Sequence, residues 1–307
     1  MRVLVAGDAN LDLVLRGDVV PRFGQAEQLL DAADVVLGSS AGICASGLAR
    51  LGVDTALCAR VGDDLFGTET LRLLQANGVD TSETQTTDAA TGLSVILSTA
   101  EDRAILTLGG AMTSLTAADI ADAAERTGAT HVHVASFFLL PALADGLPGV
   151  LAALRARGVT TSLDTNWDPA ERWDGVADCL AHLDVLLPNA TEAVALARAC
   201  GTDVSDAESA ARALAARGPV VAVKDGAAGG FAVRGDELVR AAPPAVDVAD
   251  TTGAGDSFDA GFLAGWTADA DLEDCVRHAT AAGALSTRAS GGTAAQPTRA
   301  ELESARG

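Results

Sequence analysis

Positive charge is scarce in this chain of 307 residues: 21 Lys and Arg stand against 42 Asp and Glu, and Lys224 is the only lysine. That balance has the wrong sign for holding a phosphate backbone or an anionic membrane, so neither nucleic acid nor membrane is expected as a partner. Long apolar runs are missing as well. Phe137 to Leu154 is broken by Pro141, Asp145 and Pro148 before the ~20 residues of a membrane span are reached. Met1 to Ala6 runs straight into Gly7, Asp8 and Asn10 without the apolar core of a signal peptide, and reads as a first strand. The expected location is therefore cytoplasmic. Paired cysteines are absent too: Cys44, Cys58, Cys179, Cys200 and Cys275 are scattered, odd in number and without a CxxC, which points to reduced core residues. No Walker pattern occurs, and the turn after the first strand lacks GxGxxG, which sets a dinucleotide-dependent dehydrogenase aside. No repeat, low-complexity linker or charge block marks a second unit, so residues 1–307 read as one domain.

What is present is an alternation. Apolar-periodic helices end at Gly52, Gly78, Gly158 and Gly218, where a left-handed residue closes a helix, and β-branched runs follow. Strands are expected near Arg2–Ala6, Thr55–Val61, His131–Ala135, Thr160–Asp164, Val185–Leu187 and Val220–Lys224. This is the α/β class, with a mostly parallel central sheet and helices on both faces. Two stretches break the pattern, residues 13–37 and 91–108. In the second, Ser94–Ser98 and Ala104–Leu108 read as short strands around a Glu101-Asp102 turn, and the two stretches together are expected to form a small β-rich lid.

The strongest chemical signal is Asp250-Thr251-Thr252-Gly253-Ala254-Gly255-Asp256, leading into an apolar helix. Two glycines allow close backbone approach to a ligand, a helix start offers free N–H groups, and Asp256 lies in the first turn. Such N–H groups suit charge developing on a phosphoryl group, while a carboxylate beside them takes the proton of an attacking hydroxyl. Taken alone, Gly-Ala-Gly is equally a tight turn and Asp256 a capping acid.

The motif resembles the signature of the ribokinase-like (PfkB) carbohydrate kinases, and further segments extend the resemblance in order. They are Gly7-Asp8-Ala9-Asn10-Leu11-Asp12, the Gly38–Gly42 loop, Val61-Gly62-Asp63-Asp64, Thr91-Gly92, Pro188-Asn189-Ala190-Thr191-Glu192, and Lys224-Asp225-Gly226-Ala227-Ala228-Gly229. The resemblance implies ATP- and Mg²⁺-dependent phosphorylation of a hydroxyl on a sugar-like molecule. It makes Asp256 the general base and Gly253, Ala254 and Gly255 the anion hole. Asn189 and Glu192 would organise Mg²⁺, Glu192 through water. Lys224 would meet the ATP phosphates, with Gly226 and Gly229 shaping the loop and Thr280 on the adenine side. Asn10, Asp12, Gly38, Ser39, Ser40, Gly42, Arg103 and Asn166 would surround the acceptor together with Asp256. Asp250, Thr252, Ser286 and Gly291 would lie around a monovalent cation such as K⁺, and a homodimer would form through the lid.

Ile43 stands where relatives carry an Asn that contacts sugar, so the acceptor is not identified, and a nucleoside kinase of the same fold is the alternative. A catalytically idle sugar sensor is disfavoured by the intact Gly-Ala-Gly-Asp. Asp12, Ser39, Ser40, Asn166 and Asp168 supply no cation, which predicts a neutral acceptor. Arg103 is the exception, able to hold an anion if it faces inward. His131 and His133 alternate along a strand and read as sheet residues, and Trp167 and Trp173 as packing residues.

Overall fold

The computed structural model describes residues 1–99 and 102–305; Glu101 of the expected lid turn lies outside the described residues. In chain order the strands are β1 (Arg2–Ala6), β2 (Asn10–Arg16), β3 (Ala32–Leu37), β4 (Asp54–Gly62), β5 (Thr84–Thr87), β6 (Gly92–Ser98), β7 (Arg103–Leu108), β8 (His131–Val134), β9 (Thr160–Leu163), β10 (Val185–Leu186), β11 (Val220–Lys224), β12 (Gly230–Arg234) and β13 (Glu237–Ala241). Nine of them form one sheet in the order β13-β12-β11-β10-β9-β8-β1-β4-β5. From β11 to β5 every pairing is parallel; β12 and β13 add an antiparallel hairpin at the edge.

Burial explains the sequence of the central strands. Val3, Leu4 and Val5 are fully enclosed, because helices cover both faces of a parallel sheet and the strand must be apolar on both. Leu4 belongs to the core on one face and Val3 and Val5 to the core on the other. Leu4→Ala in such packing costs about 2–5 kcal/mol. The four glycines at helix ends have positive φ, with Gly52 at 82° and Gly78 at 86°. The helix expected to end at Gly218 spans Ala207–Ala215, and Asp206, accepting from Ser209 N–H, fixes its start. The hairpin β12–β13 and the short β5 were not anticipated; β5 is the polar run TQTT, without apolar alternation.

A second sheet of four strands, in the order β3-β2-β6-β7, stands apart from the main one. Its strand β2 starts at Asn10, three residues before the expected segment, so one strand carries both acceptor-side residues and lid residues. Among the described residues no helix is long and apolar enough to cross a membrane. Four of the five cysteines are buried and all are free. His131 and His133 are sheet residues, bonded to Thr160 and Ser162 on β9 and held neutral by burial, which depresses their pKa values to about 3 and about 4.

Candidate active site

The helix Ala254–Trp266 begins differently from its neighbours. The helices at Ser40, Leu65, Ala190 and Ala207 are capped by Ser39, Asp64, Asn189 and Asp206, whereas no side chain caps this one. Gly253 precedes it at φ 72°, and a Cβ there would lie 2.6 Å from Gly292 Cα, so only glycine fits. The first-turn N–H groups lie at the positive end of the helix dipole, and that of Ala254 donates to Thr251 carbonyl at 3.2 Å.

Residues 253–256 separate two cavities. Ala254 and Gly255 line one of about 540 Å³, together with Lys224, Gly226, Gly229, Pro243, Pro244, Val248, Phe258 and Thr280. Gly253 and Asp256 line another of about 220 Å³, with Asp8, Asn10, Asp12, Ser39, Ser40, Arg103 and Asn166. The larger is an apolar slot in which Thr280 Oγ1 is buried without a partner among the described residues. The smaller mixes carboxylate, hydroxyl and amide groups with Ile43, Ile96, Ile105, Met112 and Leu139. Asn10 Nδ2 donates to Asp12 Oδ1 at 3.2 Å, and Asn166 bridges Ser136 N–H and the Ser40 hydroxyl. Gly38 and Gly42 do not line this pocket. They leave room behind it: a Cβ on Gly38 would lie 2.1 Å from Asp12 Oδ1, and one on Gly42 2.4 Å from Ser39 Oγ.

Asp256 keeps one edge open to the smaller cavity and is otherwise enclosed. Burial, reinforced by the charge of Asp164, raises its pKa to about 8, against the opposing influence of Lys224. Asp12 is raised to about 6, by burial first and then by Asp8.

Lys224 lines the larger cavity and also has two acid partners. Its Nζ donates to Asp164 at 2.8 Å and to Asp259 at 3.1 Å in a buried cluster beneath Gly255, so its charge is already engaged. Burial works against charge on Asp164 and Lys224, yet their mutual attraction favours the ionised form of both, while burial pushes the Asp259 carboxyl well above the usual carboxylate range. One oxygen of each of Asp164, Asp256 and Asp259 lies within 4.8 Å of the others. Sequence reading missed Asp8 and Asp259. Asp8 takes Ser40 and Ala41 N–H, fixing the start of that helix at the pocket. Asp259 was legible in one respect, as a second acid one turn after Asp256 in an otherwise apolar helix.

Asn189 and Glu192 line none of these cavities. They form a reciprocal capping box, Glu192 Oε2 accepting from Asn189 N–H and Asn189 Oδ1 from Glu192 N–H. Glu192 is buried rather than a solvated first-turn acid, and burial together with Asp164 pushes its pKa up to about 7. Asp250 accepts from Thr252 N–H and hydroxyl and from Gly291 N–H, tying the two expected cation-site segments together. Ser286 is the last residue of the helix Leu272–Ser286, and its hydroxyl donates to Gly283 carbonyl. Asp168 corrects the premise of a neutral acceptor: its carboxylate turns into its own loop, taking Ala170, Arg172 and Trp173 N–H, and does not reach the pocket. Trp167 and Trp173 pack edge to face, with centroids 5.1 Å apart.

The same arrangement has relatives. The chain is 32% identical over 290 residues, 93% of its length and 91% of the other's, to the ATP-dependent ribose-1-phosphate kinase of Halopiger xanaduensis. It is 30% identical over 316 residues to the ribokinase of Mus musculus, covering 98% of this chain and 93% of that one. In fold it superposes on the crystal structure of a putative ribokinase II from E. coli with a TM-score of 0.86 at 22% identity, covering 99% and 98% of the two chains. A family model described as pfkB family carbohydrate kinase matches residues 5–299. With a glycine-led helix start dividing two cavities and a half-buried Asp at its first turn, the chain belongs to the pfkB family of carbohydrate kinases.

Proposed function

We propose that this chain transfers the γ-phosphoryl group of ATP to a hydroxyl of a small sugar-like acceptor, with Asp256 as general base. One observation carries the reading: four consecutive residues at an uncapped helix start, Asp256 among them, line an apolar slot on one side and a pocket rich in polar groups on the other. The apolar slot suits a nucleobase, with the unpartnered Thr280 hydroxyl and the turns at Gly226 and Gly229 at its wall. Asn10, Asp12, Ser39, Ser40 and Asn166 offer carboxylate, hydroxyl and amide groups to a polyhydroxyl acceptor. As the acceptor O–H bond breaks, its proton passes to the Asp256 carboxylate. The new O–P bond forms while the bond to the ADP oxygen breaks, and the N–H groups of Gly253, Ala254 and Gly255 hold the charge in transit.

Mg²⁺, when bound, supplies neutralisation of phosphate charge. Glu192, which lines neither cavity and is held with Asn189 in a capping box, would take part in holding it only through water. A monovalent cation such as K⁺ fits the segments that Asp250 ties together; equal rates in K⁺, Na⁺ and tetramethylammonium at one ionic strength would remove it. The small size of the acceptor pocket supports an enzyme of small molecules. The test is ADP release from ATP over a panel of sugars, sugar phosphates and nucleosides. Release that depends on a sugar supports the proposal, whereas release only with a base-bearing acceptor would assign a nucleoside kinase instead.

A further inference from the structure

The pairing register of the lid sorts its inner face into rows. Asp12, Ser94 and Thr107 share the first row, Val14, Ile96 and Ile105 the second, and Arg16, Ser98 and Arg103 the third. Because side chains alternate along a strand, all three rows face the same side, with successive rows about 7 Å apart. The first row borders the acceptor pocket. The third borders an adjoining cavity of about 410 Å³, whose far wall is residues 248–252 and Ser290. Ile96, Arg103 and Thr252 line both spaces, so the two are continuous past Arg103.

In a chain with twice as many acids as bases, two guanidinium groups on one row are a specific placement. Arg16 pairs with Asp34 and also donates to Ser290 Oγ. Arg103 donates to Thr252 Oγ1 at 3.0 Å and has no carboxylate partner among the described residues. The acids at this cavity are turned elsewhere: Asp250 is taken up by Thr252 and Gly291, and Asp102 accepts from the Arg103 backbone N–H. Arg103 therefore has donors to spare, one residue away in space from the Gly253 end of the anion hole. It does not line the apolar nucleotide slot.

We infer that the acceptor is a sugar bearing an anionic group, a phosphate ester or a carboxylate, which Arg103 receives with Arg16, Ser98 and Thr252 around it. The free hydroxyl of that sugar then lies at Asp12 and Asp256. A guanidinium fork matches either group with two parallel hydrogen bonds, and a row of isoleucine and valine separates the anionic end from the acidic end. This rests on the kinase reading above, and it reverses the neutral acceptor expected from sequence.

The decisive experiment compares kcat/KM for ribose, ribose 1-phosphate, ribose 5-phosphate, fructose, fructose 6-phosphate and 2-keto-3-deoxygluconate in wild type, Arg103→Ala and Arg103→Lys. The KM for ATP and the melting temperature serve as controls for each variant. The expected result is that one anionic sugar exceeds its neutral counterparts by about tenfold or more, that Arg103→Ala abolishes the preference, and that Arg103→Lys restores part of it. The phosphate and carboxylate arms show which anion is held. Higher kcat/KM for a neutral sugar overturns the inference. So does an Arg103→Ala variant that lowers all acceptors alike or raises the KM for ATP, since Arg103 would then serve the nucleotide. Absence of ADP release with every acceptor would bring down the kinase reading itself, and this inference with it.

Discussion

Asp256 is a base that its surroundings hold partly protonated. With its pKa raised to about 8, chiefly by burial, the carboxylate is ionised only as pH passes that value. The expected profile of kcat/KM for the free enzyme therefore rises through about pH 8 to a plateau. A profile flat from pH 6 to 9 would contradict the assignment. The same shift acts on stability. The native chain retains a proton that the unfolded chain, with its ordinary carboxylate, releases near pH 4. Stability contributed by this group is thus lost as pH rises between about 4 and 8, and the cost is complete above 8. Asp256→Asn removes that cost, so the variant should melt at higher temperature than wild type, with a larger gap at pH 9 than at pH 5. A variant that melts lower at both pH values would show that the carboxylate stabilises the fold. Asp12 follows the same logic with a smaller shift, to about 6.

At the scale of the element, the start of the Ala254–Trp266 helix carries the chemistry. Gly255 is a sensitive probe because its Cβ has space: the nearest atom would be Lys224 Cδ at 3.4 Å, an ordinary contact. Gly255→Val should fold, costing little in helix propensity, while its branched side chain stands in the nucleotide slot. We expect kcat/KM to fall by about 10²-fold or more, with melting nearly unchanged. Unaltered turnover would remove the anion hole from the mechanism. This element was legible in sequence because its signal is local: glycines, an acid and an apolar helix within a few residues. Lys224 was legible as a strand-end cation but not in its partners. Asp164 follows the end of β9 and Asp259 lies on the Ala254–Trp266 helix, and only the fold brings them within 3.1 Å of Lys224. Asp168 misled for the converse reason, since an acid two residues after Asn166 was assumed to share its direction, whereas the loop turns it inward.

For the whole molecule, helix-ending glycines and β-branched runs conveyed the parallel sheet, because both are set by short-range sterics. The lid was legible as a break in that alternation. Its register was not, yet the register decides which residues meet the acceptor. It also leaves Leu13, Val95, Val35 and Leu106 in one row across the outer face, with Val35 54% and Leu106 61% exposed. A sheet that is apolar on its solvent face calls for a cover. We expect a homodimer closed through the lids, and sedimentation at micromolar concentration should find it; Leu106→Glu should shift it to monomer. A monomeric wild type would leave that face without its expected partner. The most direct test of the central claim follows the γ-phosphoryl group itself, by ³¹P NMR of ATP with the best sugar acceptor, in wild type and Asp256→Asn. The account predicts a sugar phosphate ester formed one for one with ADP, at a rate lower by ~10²-fold or more in the variant with ATP still bound. Equal transfer by the two proteins, or ADP formed with inorganic phosphate and no ester, would contradict it.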